Sequence, residues 1–191
     1  MNSAMALRAN VINNKTADAV IGVIFFIIAT TLGAYIRIPV PGTPVPITLQ
    51  TFFVVLSGAV LGSRLGLFSQ IGYIFLGAIG LPVFQGYAFG MAHIMGSTGG
   101  YMMGFMAASF LIGRILEKES QGLFKVAASF ALGNVVLYSL GTLWLMFIYR
   151  ISFVNAVLIG VLPFFTIELA KIFLAAVIYS KISHRSKAIF S

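Results

Sequence analysis

The sequence predicts an all-α integral membrane protein: six spanning helices with both termini cytoplasmic and an outward-facing substrate pocket lidded by loops. Three observations carry this. Hydrophobic residues make up 60% of the 191-residue chain and charged residues only 8%, against about 25% charge in a soluble domain. The apolar residues fall into long runs, and a spanning helix needs about 20 of them. The basic residues are distributed very unevenly among the connections between those runs.

The elements follow in order. Residues 1–16 are polar and show no small-residue cleavage site behind a short apolar core, so no cleaved signal peptide is expected. The bundle occupies 17–182, a basic tail occupies 183–191, and the whole of 1–191 is one membrane domain. The first span is Asp18–Tyr35. Ile38–Ile47 then carries four prolines in ten residues. Each fixes φ and turns its predecessor away from helix, so a stiff, extended loop is expected. Thr48–Gly62 and Leu65–Gly80 are two short spans. Gly58, Gly62 and Gly66 have small-xxx-small spacing, but Gly62 and Arg64 point to a tight turn between spans. Leu81–Ser97 is glycine-rich, moderately apolar and free of Lys, Arg, Asp and Glu. Gly99–Leu116 and Leu123–Phe147 are the fourth and fifth spans. Arg150–Leu162 is apolar for a loop, and Pro163–Ser180 is the sixth span. Apolar non-helical backbone at a membrane must be buried in protein or line a cavity. Three such loops therefore suggest a covered pocket.

Arg8, Lys15, Arg64, Arg114, Lys118, Lys125, Lys181, Arg185 and Lys187 fall on one side of this topology, Arg37 and Arg150 on the other. The positive-inside rule places the first side in the cytoplasm. The three unusual loops then face outward, as capture of an external solute requires.

Several function classes are excluded or disfavoured. The formal charge of +8 is scattered between apolar runs, the pattern of topology signals, so no nucleic acid is expected as partner. There is no phosphate-loop sequence, and any ATP-driven step needs another chain. Cysteine is absent, and His93 and His184 lie apart, so neither a metal site nor a cofactor is expected.

Glu168 and Lys171 are the only charges between Ile151 and Tyr179. Their i,i+3 spacing puts both on one helix face. An ionisable residue inside a membrane is costly and marks a functional site by default. The competing reading is an ion pair that only fixes packing. Gln50 sits at the outer end of the second span with Thr48 and Thr51 beside it. Asn134 lies in the fifth span with Tyr138 at i+4. These buried polar groups need partners, either a ligand or another helix. Catalysis by Glu168 and Lys171 would require a third positioned group, which is not evident, so no enzyme is expected.

In this order, Pro44-Val-Pro-Ile-Thr-Leu-Gln-Thr51, Gly58-Ala-Val-Leu-Gly-Ser-Arg-Leu-Gly66, Tyr73 and Gly77-Ala-Ile-Gly-Leu-Pro-Val-Phe84 resemble the BioY family of biotin transporters. Ser97-Thr-Gly-Gly-Tyr-Met-Met-Gly-Phe105, Gly133-Asn134, Tyr138 and the stretch from Pro163 through Glu168 to Lys171 extend the resemblance over nearly the whole chain. Glu168 stands where that family carries Asp. The Ala-xxx-Ala surface expected of a first helix is replaced by Gly22 and Ala29 at another spacing. BioY proteins are substrate-binding S components of energy-coupling-factor (ECF) transporters. The resemblance implies a multi-pass protein of the bacterial cell membrane, in contact with lipid. It implies biotin as substrate, with an ECF transmembrane coupling subunit and two ATPase subunits as partners. A solitary or oligomeric biotin transporter working without that module is the alternative within the same class. The implied site consists of Glu168, Lys171, Asn134, Gln50, Thr48 and Tyr138. Gln85 and Gly86 come from the glycine-rich loop, and Phe52, Phe84 and Tyr87 are candidates for the aromatic wall.

Overall fold

The computed structural model describes residues 3–117 and 122–190, with side chains in the first helix from Lys15 onward. Lys118 and Glu119 lie outside the described residues. The elements are α1 (Ser3–Tyr35), β1 (Arg37–Ile38), β2 (Ile47–Thr48), α2 (Gln50–Ala78), α3 (Met91–Ile94), α4 (Gly99–Leu116), α5 (Leu123–Tyr149), α6 (Phe153–Gly160) and α7 (Phe165–Phe190). Short 3-10 turns cover Gln85–Tyr87 and Leu162–Phe164. Among the described residues, five stretches are long and apolar enough to cross a membrane.

One of those stretches, Gln50–Ala78, folds into two antiparallel limbs. Gly62 interrupts α2 with φ 81° and ψ 178°, a conformation open to glycine and strained for other residues. The chain folds back there. Gln50 Nε2 donates to the Tyr73 hydroxyl at 2.7 Å, and Gln70 Nε2 to Ser57 Oγ at 3.1 Å. A Cβ on Gly66 would lie 2.8 Å from the Cα of Gly58. These pairs bracket Gly62 symmetrically, so 50–61 and 63–78 are antiparallel limbs of a hairpin. The two short spans expected on either side of a glycine turn are these limbs.

The hairpin is wedged against α4. A side chain at Gly58 would collide with the Ser109 carbonyl, and one at Gly113 with the backbone of Ser63. Small residues let helix backbones approach this closely, and such approach replaces the hydrophobic drive that lipid removes. Gly22 and Ala29 of α1 are buried, and Gly22 lies against Leu61 and Phe190. The small-residue stripe of the first helix is therefore spent inside the bundle. Its exposed face carries Ile21, Ile24, Phe25, Ile28 and Leu32.

Five regions differ from expectation. The helices at both termini run further, α1 from Ser3 and α7 to Phe190, because neither polar flank contains a glycine or proline to stop them. The proline loop is a hairpin rather than an extended run. Arg37 pairs with Thr48 and Ile38 with Ile47, and Gly42 takes φ 83° at the turn. Arg150–Leu162 is not loop throughout. It holds α6, whose N-cap Ser152 accepts from the Asn155 backbone N–H at 3.3 Å. The Leu81–Ser97 loop contains α3 and a 3-10 turn in which Gly86 and Tyr87 both have positive φ.

The strand pair, the 81–98 loop, α6 and the N-terminus of α7 gather at one end of the bundle, here the pocket end. The Gly62 turn and the C-terminus of α4 lie at the other. There Glu117 accepts hydrogen bonds from the hydroxyl and, at 3.0 Å, from the backbone N–H of Ser63, and pairs with Arg114. Burial raises the Glu117 pKa, but these donors outweigh it and hold the carboxyl below its usual range.

Candidate ligand-binding site

Pro163 falls in the 3-10 turn that leads into α7, and Glu168 lies in that helix's first turn. A carboxylate there is favoured by the exposed N–H groups of the helix start. Lys171 follows one turn on and is ion-paired with it. Both side chains are about nine-tenths buried. Lys171 Nζ also donates to the Thr48 carbonyl at 2.9 Å and to Thr51 Oγ1 at 2.5 Å. Thr51 Oγ1 donates its own hydrogen bond to the carboxylate, 3.0 Å from Oε1 and 3.1 Å from Oε2. An ammonium has three donors: one goes to Glu168, one to Thr48 and one to Thr51. A carboxylate has about four acceptor positions, and three groups draw on them here: Lys171, Thr51 and the Tyr138 hydroxyl. The spare capacity of the cluster is therefore acceptor capacity on Glu168.

A cavity of about 40 Å³ opens on this cluster. Its polar wall is Thr48, Gln50, Thr51, Gln85, Thr98 and Glu168, with the phenols Tyr101 and Tyr138. Its apolar wall is Val45, Pro46 and Ile47 of the proline hairpin, with Met102, Phe105 and Phe164. The space suffices for little more than water. Gln50 is engaged on both sides of its amide, accepting from Thr48 Oγ1 at 3.1 Å and donating to Tyr73. Tyr101 is fixed by its hydroxyl, which donates to the Gly160 carbonyl at 2.7 Å. Behind Tyr138 and Glu168 lies a second, largely apolar space of about 560 Å³ between α5, α6 and α7. Among the described residues, only those two line both spaces.

Of the residues predicted from sequence, Glu168, Lys171, Thr48, Gln50, Tyr138 and Gln85 come together around the cavity or its cluster. Asn134 does not reach it. It donates to the Phe130 carbonyl one turn back at 3.1 Å and lines the second space, with Oδ1 unpartnered. Phe52 is in the core with Val55, Leu56 and Ala59, because Gln50 and Thr51 occupy the cavity face of their limb. Phe84 is fully buried one layer away. It stacks on His93 at 5.1 Å, meets Tyr73 edge-on at 5.5 Å and fills the space over Gly77. Burial lowers the His93 pKa. Gly86 lies beneath the Arg37 guanidinium. Tyr87 is exposed and packs on Tyr35, ring centroids 4.5 Å apart.

Sequence reasoning missed part of the wall. Thr98, Tyr101, Met102 and Phe105 share one face at the start of α4, and their 3-1-3 spacing was available as a helical signal. Phe164 and the Val45–Ile47 segment had no comparable marker. Thr51 was noticed only as a neighbour of Gln50, yet it bridges both charges.

Comparison with known proteins gives a consistent picture. A BioY family profile matches residues 4–188. The Biotin transporter BioY of Thermotoga maritima is 41% identical over 147 residues, 77% of this chain and 85% of that protein. The Biotin transporter BioY of Rhizobium etli is 32% identical over 172 residues, 86% of this chain and 91% of that one. A crystal structure of the S-component for biotin from an ECF-type ABC transporter superposes with a TM-score of 0.85. That match has 28% identity and covers 90% of this chain and 94% of the other.

Proposed function

The chain belongs to the BioY family, and from that premise we propose that it is a biotin-binding S component. In this reading it captures external biotin, performs no chemistry on it, and delivers it for ATP-driven import by a separate module. The pocket end faces outward and both termini are cytoplasmic, in the bacterial cell membrane.

The observation that carries the reading is the buried Thr51–Glu168–Lys171–Thr48 cluster at the head of the cavity. Biotin presents a ureido group with two N–H donors, an apolar sulfur ring and a carboxylate tail. The acceptor capacity that Glu168 has left matches a ureido N–H group. Lys171 and Thr51 hold the Glu168 side chain in place, which lowers the ordering cost of binding. Gln50, Gln85, Thr98 and Tyr138 are placed to serve the ureido carbonyl and the ring edge. Tyr101, Met102, Phe105 and Phe164 supply apolar wall, as small-molecule sites usually have. The cavity volume is too small for a bicyclic vitamin. Entry therefore requires the proline hairpin and the 81–98 loop to part, and retention requires them to close, so both act as lids.

Equilibrium binding of labelled biotin to the purified chain in detergent tests the proposal, with unlabelled biotin, thiamine and riboflavin as competitors. Saturable binding displaced by biotin alone is expected. Absence of binding, or equal displacement by the other vitamins, would refute it.

A further inference from the structure

The inference rests on the biotin reading of the site and concerns the end of the substrate that Glu168 cannot serve. A carboxylate tail needs a cationic or donor partner. Lys171 is the buried cation of the cluster, and its three donors are committed to Glu168, Thr48 and Thr51. The 81–98 loop contributes no Lys or Arg.

We propose that Arg37, at the mouth of the cavity, binds the substrate carboxylate and sets the preference for the free acid over neutral derivatives. A cavity residue flanks it on one side and the chain neighbour of another on the other. Arg37 is the cross-strand partner of Thr48, and directly opposed residues of an antiparallel pair project from the same face. Thr48 lines the cavity. On its other side the guanidinium lies over Gly86, which follows the cavity residue Gln85. A Cβ on Gly86 would stand 2.5 Å from Nη1 and 3.0 Å from Cζ of Arg37. Glycine is required here for the positive φ of 70°, and its missing Cβ leaves the room in which the guanidinium rests. Neighbouring contacts hold this turn. Tyr87 packs on Tyr35, whose hydroxyl donates to the Pro82 carbonyl at 2.7 Å.

The charge of Arg37 is also available. Among the described residues no carboxylate pairs with it. Glu168 belongs to Lys171, and Glu117 sits by Ser63 at the opposite end of the bundle. Asp18 lies about 26 Å down α1 from Tyr35 at 1.5 Å per residue. Arg37 is exposed, so its planar fork can meet an incoming carboxylate with two parallel hydrogen bonds. The substrate is then read at both ends, a ureido donor by Glu168 within and the carboxylate by Arg37 at the mouth.

The test measures dissociation constants for biotin and for its neutral methyl ester on the wild-type chain, Arg37→Gln and Arg37→Lys. Wild type should prefer the acid. Arg37→Gln should weaken biotin about tenfold, the worth of one charge-assisted hydrogen bond, and leave the ester unchanged. Arg37→Lys should fall between. The preference of the wild type for the acid should shrink as salt rises. Equal losses for acid and ester in Arg37→Gln would assign Arg37 to loop packing and overturn the inference, as would unchanged affinity for both. If the wild type binds neither compound, the biotin reading itself fails, and the inference with it.

Discussion

Replacing Gly77 by alanine should loosen the 81–98 loop and speed release of biotin, although Gly77 does not line the cavity. A Cβ there would lie 2.5 Å from Cε2 of Phe84 and closer still to Cζ. Carbon atoms pack at about 3.5–4.0 Å, so the ring must retreat by about 1 Å or more. It has no room, being fully buried and boxed by Tyr73 and His93. The same point anchors the loop, since Gly90 N–H donates to the Gly77 carbonyl at 2.7 Å and Phe84 N–H to that of Ala88 at 3.1 Å. Expelling a buried Phe side chain forfeits about 3 kcal/mol, the lower end of Phe→Ala costs. That is about a hundredfold in the ratio of docked to undocked loop. Apparent affinity falls with the fraction of competent molecules, so the dissociation rate of labelled biotin should rise at least about tenfold. Phe84→Ala alone should also speed release. The double variant Gly77→Ala/Phe84→Ala should be no worse than Phe84→Ala, because the obstructing ring is gone. Additive effects in this cycle, or wild-type release from Gly77→Ala, would refute the reasoning.

The depressed carboxyl of Glu117 makes its ionised form stabilising. That contribution is complete above the ordinary value of 4.5 and is lost as pH falls through the lower folded value. Thermal unfolding in detergent should show an acid limb below pH 4.5 that Glu117→Gln flattens; identical profiles would contradict this. Cysteines placed at Arg37 and Ser152 should label from outside intact cells and one at Lys187 only after permeabilisation. Reversed labelling would invert the orientation. Replacing Gly42-Thr43-Pro44 by a flexible Gly/Ser stretch should accelerate biotin release, since the prolines limit the states lost on closure. An unchanged rate would make the hairpin a passive connector.

The parts of this structure legible in the sequence are those where lipid imposes a rule. Long apolar runs had to be helices, and Gly62 beside Arg64 had to turn between two of them. Glu168 and Lys171 had to find each other because neither survives alone in lipid. What stayed hidden was which apolar face looks inward. Lipid tails are as apolar as a protein core, so hydrophobic periodicity cannot separate Phe52, packed against other helices, from residues that face a ligand. The wall of α4 escaped notice for the same reason. In the 81–98 loop, alternation alone could not say that Phe84 turns into the fold and Gln85 toward the cavity. That depends on the left-handed turn at Gly86 and Tyr87. Asn134 was placed correctly within its span but rotated toward the second space, where α6 closes over it. The eight residues of α6 were too few to distinguish from apolar loop.

The central claim is that the Glu168–Lys171 pair is the polar anchor of a biotin site rather than a structural tie. The most direct measurement is the biotin affinity of the monodisperse fraction of Lys171→Ala. Removing the ammonium leaves Glu168 buried without its counter-charge, a cost of about 2–5 kcal/mol in comparable settings. It also removes the donor that links α7 to Thr48 and Thr51. Affinity should therefore fall by well over tenfold at about 1.4 kcal/mol per decade, even in protein that has folded. A purely structural pair gives the opposite result: a low yield of folded Lys171→Ala protein that binds biotin with wild-type affinity.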